Sequence, residues 1–177
     1  MTNVKKRKNR FIFVVGGAKS GKTAFACATT ESLSPERTYV ATAEALDAEM
    51  KERIAKHKCE RKEGWSTVEE PLNVAATIEG IASGAALKDC LTLWITNLVM
   101  DDAADVTIFK EAETLARACR AARADVVVVS NEVGLGVVPT TVAGRRFLGL
   151  SGTVNQTMAA GADEVYFIVS GMPIKVK

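Results

Sequence analysis

A short apolar run that ends in a glycine-rich turn constrains the fold of this chain more than any other feature. Residues 11–15, FIFVV, are followed by the eight residues GGAKSGKT and then by AFACATTESL, which favours a helix. The eight residues satisfy the pattern G-x-x-x-x-G-K-[ST], which requires a strand before it and a helix after it. The segment therefore predicts a buried strand, a phosphate-binding loop and a helix that opens at the loop.

The basic stretch KKRKNR, residues 5–10, raises one alternative, in which FIFVV is the apolar core of a secretory signal. A signal core needs about 7–15 apolar residues and then a small-residue cleavage site. Here two glycines and Lys19 follow after only five apolar residues, which disfavours secretion. We interpret residues 1–10 as a basic tail and residues 11–177 as a single α/β domain.

Composition narrows the class of protein further. The four cysteines lie about thirty residues apart without a C-x-x-C pair, which favours reduced thiols in a cytoplasmic protein over a disulfide scaffold or a zinc site. No apolar run approaches the roughly 18–20 residues that cross a bilayer, so we expect no stable membrane insertion. A net charge of +2 and an aromatic content of 6% disfavour a nucleic-acid partner.

Strand-like and helix-like segments alternate along the chain. The predicted strands are FIFVV, TYVATA, WSTVEE, DVVVVS and EVYFIV. The predicted helices cover residues 21–33, 44–58, 72–87, 107–122 and 141–162, and the helix over 72–87 is expected to fray at Gly84. The apolar segment CLTLWITNLVM, residues 90–100, fits either a strand or a helix. Continuous apolar strands separated by helices predict a mostly parallel sheet with helices on both faces.

The phosphate-binding loop supplies most of the predicted nucleotide contacts. Lys22 is expected to reach the β- and γ-phosphates, and the Thr23 hydroxyl to ligate Mg²⁺. The predicted loop residues are Gly16, Gly17, Ala18, Lys19, Ser20, Gly21, Lys22 and Thr23.

Such a loop also needs a carboxylate at the end of a neighbouring strand to hold Mg²⁺ or its water. Asp89 is the best candidate, although Lys88 stands where a buried strand favours an apolar residue. Glu69 and Glu70 are rivals for the same role, and Asp89 as a plain surface charge is a further alternative.

His57 is the only histidine of the chain, and it ends a predicted amphipathic helix in KERIAKHKCER. Basic neighbours, among them Arg53 and Arg61, disfavour the imidazolium form and attract phosphate. A neutral imidazole is a competent nucleophile toward phosphorus. Spacing alone nevertheless favours an ordinary surface histidine, because a single histidine without a partner is weak evidence for catalysis.

Polar residues also follow the four-valine strand, in SNEVGLG. Asn131 and Glu132 are expected at its carboxyl end, where open α/β sheets bind ligands. An Asn-initiated turn with a solvated glutamate is the alternative. Four further residues fit either contacts with phosphate or corrin side chains or an ordinary polar helix face: Arg145, Arg146, Asn155 and Gln156.

Taken together, these stretches resemble the bifunctional adenosylcobinamide kinase / adenosylcobinamide-phosphate guanylyltransferase family. The resemblance covers residues 11–177 and rests on GGAKSGKT, YVATAEALDAEMKERIAKHK, DCLTLWITNL, VVVVSNEVGLGVVP and GTVNQ. It implies a RecA-like P-loop fold, a homotrimer, and the use of ATP, GTP and Mg²⁺ on adenosylcobinamide and its phosphate. It further implies that His57 attacks the α-phosphorus of GTP and forms a guanylyl-histidine intermediate.

Three departures from the family pattern mark where one activity is in doubt. Lys88 interrupts an apolar strand, Lys62 replaces a usual proline, and FLGL (residues 147–150) lacks an arginine–aspartate pair. Two other functions therefore stay open at this point: a descendant with only one of the two transferase activities, and a nucleotide-dependent switch.

Overall fold

The computed structural model describes residues 9–43 and 63–177. In these ranges the strands are β1 (Phe11–Gly16), β2 (Arg37–Ala41), β3 (Trp65–Glu69), β4 (Ala85–Asp89), β5 (Asp125–Asn131), β6 (Glu164–Val169) and β7 (Met172–Lys175). The helices are α1 (Lys22–Leu33), α2 (Val74–Gly80), α3 (Leu91–Met100), α4 (Asp105–Ala121) and α5 (Val142–Gly161). The predicted helix over residues 44–58 and most of the predicted basic tail lie outside the described residues.

The strands form one sheet in the order β3-β2-β4-β5-β1-β6-β7. All described pairings are parallel except the antiparallel pair of β6 and β7. Helix α1 packs on one face, and helices α2 to α5 pack on the other. The predicted mostly parallel sheet with helices on both faces is therefore confirmed.

The position of β1, which is covered on both faces of the sheet, explains why its sequence is continuously apolar. Phe11 and Phe13 point into the cluster under helices α2 to α5, whereas Ile12 and Val14 point toward α1. All four side chains are at most 2% exposed. Side chains alternate between the two faces of a strand, so a strand covered on both sides needs an apolar residue at every position.

Parallel strands bring their carboxyl ends to the same edge of the sheet. Gly16, the last residue of β1, lies opposite Asn131 of β5, and Asp89 of β4 lies opposite Val129. Strand β5 thus separates the strand of the phosphate loop from the strand that ends in Asp89. Three predicted site residues, Gly16, Asp89 and Asn131, therefore lie at the carboxyl edge of the sheet.

The helix predicted over residues 72–87 was wrong in its extent. Helix α2 ends at Gly80, and Ala85 begins strand β4, which pairs with β2 on one side and β5 on the other. The small, apolar pair Ala85–Ala86 fits a helix or a doubly covered strand equally well, and hydrogen bonding to two neighbours decides for the strand. The ambiguous segment 90–100 is mostly helix α3, and the expected extended tail forms β7.

Lys88 is the most unusual residue of the core. Its side chain is fully buried, its Nζ atom has no hydrogen-bond partner among the described residues, and Nζ lies 5.7 Å from the ring centroid of Trp94. Burial lowers the pKa of Lys88 to about 7, against smaller opposing effects of neighbouring groups, and burial raises the pKa of the nearby Cys119 thiol to about 12. The departure seen at Lys88 in the sequence is therefore a buried amine inside strand β4.

No helix among the described residues is long and apolar enough to span a membrane.

Replacing Lys88 with methionine is expected to stabilise the fold. A lysine whose pKa falls from 10.5 in the unfolded chain to about 7 in the fold binds fewer protons when folded, so wild-type stability should rise between pH 7 and pH 10.5. The advantage of Lys88→Met should shrink over that interval by at most about 1.4 kcal/mol per pH unit. Urea unfolding at several pH values checks this, with the exposed Lys110→Met as the matched control. A stability gap that stays constant with pH would contradict the buried-amine explanation.

Candidate nucleotide-binding site

The loop between β1 and α1 has the geometry of a phosphate cradle. Gly21 caps the amino end of α1 with a φ of 91°, and Lys19 has a φ of 55°, so the backbone turns tightly before the helix. The amino end of α1 and its backbone N–H groups therefore face the turn, where they favour an anion.

Gly16 can only be glycine in this packing. A Cβ atom at this position would lie 2.7 Å from the Ile168 carbonyl oxygen and 2.7 Å from Ser20 Oγ. By contrast, a Cβ atom on Gly17 would meet nothing within 4 Å in the part of the chain that the structure describes. The first glycine of the motif is thus required by the close approach of strand β6.

Lys22 lies folded over the loop. Its Nζ atom donates a hydrogen bond to the Gly17 carbonyl at 3.1 Å, and the side chain is buried. The ammonium group is therefore held directly above the turn whose backbone forms the cradle. This is the position from which a lysine can neutralise phosphate oxygens.

Asp89 and Thr23 are in direct contact. Asp89 Oδ2 accepts hydrogen bonds from Thr23 Oγ1 at 3.1 Å and from the Tyr39 hydroxyl at 3.2 Å. A hydroxyl and a carboxylate are hard oxygen donors of the kind that Mg²⁺ prefers, so these two residues fit the metal that the motif implies. Tyr39 fixes the orientation of the carboxylate.

The rival carboxylates lie farther along the sheet edge. Glu69 ends β3, which is separated from β4 by β2. Glu70 Oε1 accepts hydrogen bonds from the backbone N–H groups of Leu72 and Asn73, so it serves the turn before α2. The arrangement favours Asp89 over both for the role beside the loop.

Asn131 and Glu132 lie beside the phosphate loop. The Glu132 backbone N–H donates to the Gly16 carbonyl at 3.0 Å, and the Glu132 carboxylate accepts from the Gly134 N–H. Asn131 Nδ2 donates to Thr92 Oγ1 at 2.6 Å, which ties the end of β5 to the start of α3. Both residues are thus at the expected edge. Glu132 also serves the turn that the sequence offered as an alternative, whereas the Asn131 side chain bonds to Thr92 and not within the turn.

Three polar residues at the site were missed by the sequence analysis. Thr42 Oγ1 donates to the Cys90 carbonyl at 3.0 Å, and Asn97 Nδ2 donates to the carbonyls of Thr42 at 2.8 Å and Pro71 at 3.1 Å. Tyr39, the hydrogen-bond donor to Asp89, is the third. The sequence feature that could have identified such a residue is a polar side chain in an otherwise apolar segment, as with Asn97 in LWITNLV.

Of the other predicted residues, three lie outside the described part of the chain, and Arg146 pairs away from this edge. His57, Arg53 and Arg61 lie outside the described residues. Arg146 pairs with Asp105 at the start of α4, at 2.7 Å, which fits the ordinary polar helix face.

A groove of about 560 Å³ opens at the opposite, amino edge of the sheet, near the start of β2 and β3. Its polar groups bond to one another: Ser83 Oγ donates to Glu36 Oε2, and Arg37 donates to the Glu63 carbonyl. The groove is lined neither by the phosphate loop nor by Asp89, so the candidate nucleotide-binding site lies at the carboxyl edge.

Comparison with known proteins agrees with this geometry. The model of the family "Cobinamide kinase / cobinamide phosphate guanyltransferase" matches residues 12–176. The chain belongs to this family. The resemblance inferred from the sequence is confirmed, and with it the prediction of a nucleotide-using transferase of cobalamin biosynthesis.

Curated relatives within the cobinamide kinase / guanyltransferase family are similar over nearly their whole length. The chain is 40% identical to the bifunctional adenosylcobalamin biosynthesis protein CobP of Pseudomonas aeruginosa, covering 93% of this chain and 95% of the relative. It is 39% identical to the bifunctional adenosylcobalamin biosynthesis protein CobU of Salmonella typhimurium, covering 94% and 99%.

Solved structures support the fold alone. One solved ATPase domain has a TM-score of 0.50 at 14% identity, covering 92% of this chain and 70% of that one. An ATPase from the type III secretion system of pathogenic bacteria has a TM-score of 0.56 at 11% identity, covering 94% and 56%. The predicted P-loop fold is confirmed by these ATPase neighbours.

Gly16→Ala is expected to destabilise the protein by about 1–3 kcal/mol, because the added methyl group forces β6 or the loop to move. Gly17→Ala is the matched control, since its Cβ has open space. Thermal unfolding without nucleotide checks both variants. Equal melting temperatures for the two would show that the approach of Ile168 does not restrict Gly16.

Tyr39→Phe keeps the ring and removes the hydroxyl that orients Asp89. We expect the Mg²⁺ concentration for half-maximal triphosphate binding to rise about tenfold, as is typical when the hydrogen-bond partner of a metal ligand is lost. Triphosphate affinity in EDTA should stay the same. Calorimetric titrations with and without Mg²⁺ measure both quantities, and unchanged Mg²⁺ dependence would exclude a role of Tyr39 in holding the carboxylate.

Proposed function

We propose that this chain phosphorylates adenosylcobinamide on its aminopropanol hydroxyl and then transfers GMP from GTP to the resulting phosphate, giving adenosylcobinamide-GDP. The observation that carries the proposal is the contact of Thr23 with Asp89 at the mouth of a complete phosphate loop, in a chain that belongs to this family. ATP or GTP is the phosphoryl donor, and GTP is the guanylyl donor.

For the kinase reaction, the chain contributes position and charge. Lys22 and the backbone N–H groups at the start of α1 hold the triphosphate and offset the charge that develops as the γ-phosphoryl group leaves. Thr23 and Asp89 would hold Mg²⁺, which neutralises phosphate oxygens when it is bound. The substrate hydroxyl attacks the γ-phosphorus, and the bond to the bridging oxygen of the nucleoside diphosphate breaks.

For the guanylyl transfer, we assign the nucleophile to His57. Its neutral imidazole attacks the α-phosphorus of GTP and pyrophosphate leaves, after which the phosphate of adenosylcobinamide phosphate attacks the phosphoramidate and releases the histidine. Arg53 and Arg61 supply positive charge for the phosphates. The histidine thus divides one displacement into two.

Chain length supports this assignment. The described chain reaches Thr42 beside Cys90, next to Asp89, and resumes at Glu63 before β3. His57 follows Thr42 by fifteen positions, which span up to about 50 Å when extended. The carboxyl edge beside Asp89 is therefore within reach of His57 from the Thr42 end of the intervening segment.

We further propose that the protein works as a cytoplasmic homotrimer without a nucleic-acid partner. Apolar side chains exposed in a single chain support assembly, since such patches commonly mark interfaces. One group runs from the loop after β5 to the first residue of α5, and the other covers the last strand and the residue after it: Leu135, Val137, Val138 and Val142, and Met172, Ile174 and Val176.

The decisive experiment follows GTP labelled at the α-phosphorus, with Mg²⁺, in the wild type and in His57→Asn. We expect an acid-labile, base-stable label on the wild type alone, because a phosphoramidate to histidine has that stability. Lys22→Met should lose both this label and the transfer of a γ-label to adenosylcobinamide, whereas the exposed Lys110→Met should retain both. The label is counted on precipitated protein, and the products are separated by chromatography.

The two transfers can fail independently. Absence of protein label in a wild type that still phosphorylates adenosylcobinamide would leave a kinase alone. Equal label in His57→Asn would move the nucleophile to another residue.

A further inference from the structure

The turn between β6 and β7 rests directly on the phosphate loop. The Gly171 N–H donates a hydrogen bond to the Ser20 carbonyl at 2.8 Å. A Cβ atom on Gly21 would lie only 3.1 Å from the Gly171 Cα, so the two backbones are in contact. We call β6, this turn and β7 the C-terminal hairpin.

The conformation of the turn is what presents this N–H group. Val169 pairs with Met172, which leaves a two-residue turn, and both of its residues have positive φ: 50° for Ser170 and 82° for Gly171. Positive φ at both central residues is the geometry of type I′ hairpin turns. A Cβ atom at Gly171 would meet no described residue within 4 Å, so among the described residues it is the backbone conformation that restricts this position.

The base of the C-terminal hairpin is attached to the helix of the same loop. The Tyr166 ring lies 5.1 Å from the Phe25 ring of α1, centroid to centroid. The Tyr166 hydroxyl donates to Glu164 Oε2 at 2.7 Å, and Lys175 Nζ donates to the same oxygen at 2.9 Å. Two separate contacts thus connect the hairpin to the nucleotide-binding element, one on the helix and one on the loop.

The contact at Ser20 determines which way one peptide group faces. In a trans peptide the carbonyl and the N–H of the next residue point in opposite directions. Gly171 holds the Ser20 carbonyl oxygen on the side of the loop that faces the hairpin. The Gly21 N–H therefore points to the opposite side, away from the hairpin. The reverse orientation would present a carbonyl oxygen where the cradle needs a donor.

Gly21 makes this peptide easy to reorient. Glycine adopts positive or negative φ with little energetic difference. Steric contacts of a side chain therefore do not favour either orientation of the peptide group before Gly21. The Ser20–Gly21 peptide therefore depends on an external hydrogen bond for its orientation.

We infer that the C-terminal hairpin is a positioning element for nucleotide binding, in which Gly171 locks the Ser20–Gly21 peptide with its N–H group directed at the phosphates. This role rests on the proposed binding of triphosphate at the loop. It assigns to the last strands of the chain a part in binding that lies outside the phosphate-loop motif.

Two substitutions at Gly171 separate this role from packing. Asparagine tolerates the left-handed region, whereas β-branched valine does not, and neither meets a neighbour through its Cβ. We expect Gly171→Val to raise the Kd of a non-hydrolysable GTP analogue about tenfold, the effect of losing one N–H bond to a charged phosphate. Gly171→Asn should stay within about threefold of the wild type, because it preserves the turn.

Calorimetry at 25 °C measures these constants, and thermal unfolding measures the stability of each variant without ligand. Ile108→Val is the control for a purely structural loss, since Ile108 is buried on the face opposite α1. It should lower the melting temperature without changing the Kd.

Equal Kd values for Gly171→Val, Gly171→Asn and the wild type would overturn the positioning role while leaving nucleotide binding intact. A parallel change of Kd in Ile108→Val would also overturn it, because general destabilisation would then explain the effect. A wild type that does not bind the analogue would refute triphosphate binding at the loop, and with it both proposals.

Discussion

The burial of β1 between β5 and β6, with side chains covered on both faces, is the constraint on which the rest of the structure depends. It places Gly16 at the carboxyl edge of the sheet and turns the backbone straight into α1. Every other group of the site is positioned relative to this exit. Asp89 reaches Thr23 because only β5 lies between β4 and β1, and Glu132 bonds to the Gly16 carbonyl because β5 is the direct neighbour.

The sequence predicted those parts of the fold that follow from local pattern. The short apolar runs FIFVV and DVVVVS identified the buried parallel strands β1 and β5, since a strand covered on both sides needs an apolar residue at each position. The phosphate loop was recognisable because its glycines and its lysine have specific chemical tasks at fixed spacing. Asp89 could be named as a candidate because the loop needs a carboxylate at the end of a nearby strand.

Other features could not be predicted because they depend on which strands become neighbours. The small alanines 85 and 86 carry no helix or strand signal until β2 and β5 flank them, so the helix was extended too far. Tyr39 meets Asp89 only through the pairing of β2 with β4. A lysine in an apolar strand normally signals an edge, and its complete burial at Lys88 is set by the helices packed above β4.

Asn97 has a consequence for the rigidity of the sheet edge. One buried amide group holds the carbonyl of Thr42, just after β2, and the carbonyl of Pro71, which follows β3. Because both bonds come from the same side chain, the exits of these two strands keep a fixed distance from α3 and from each other. A molecule that approaches this edge therefore meets a rim that is already ordered, and its association does not carry the entropic cost of arranging these strand exits.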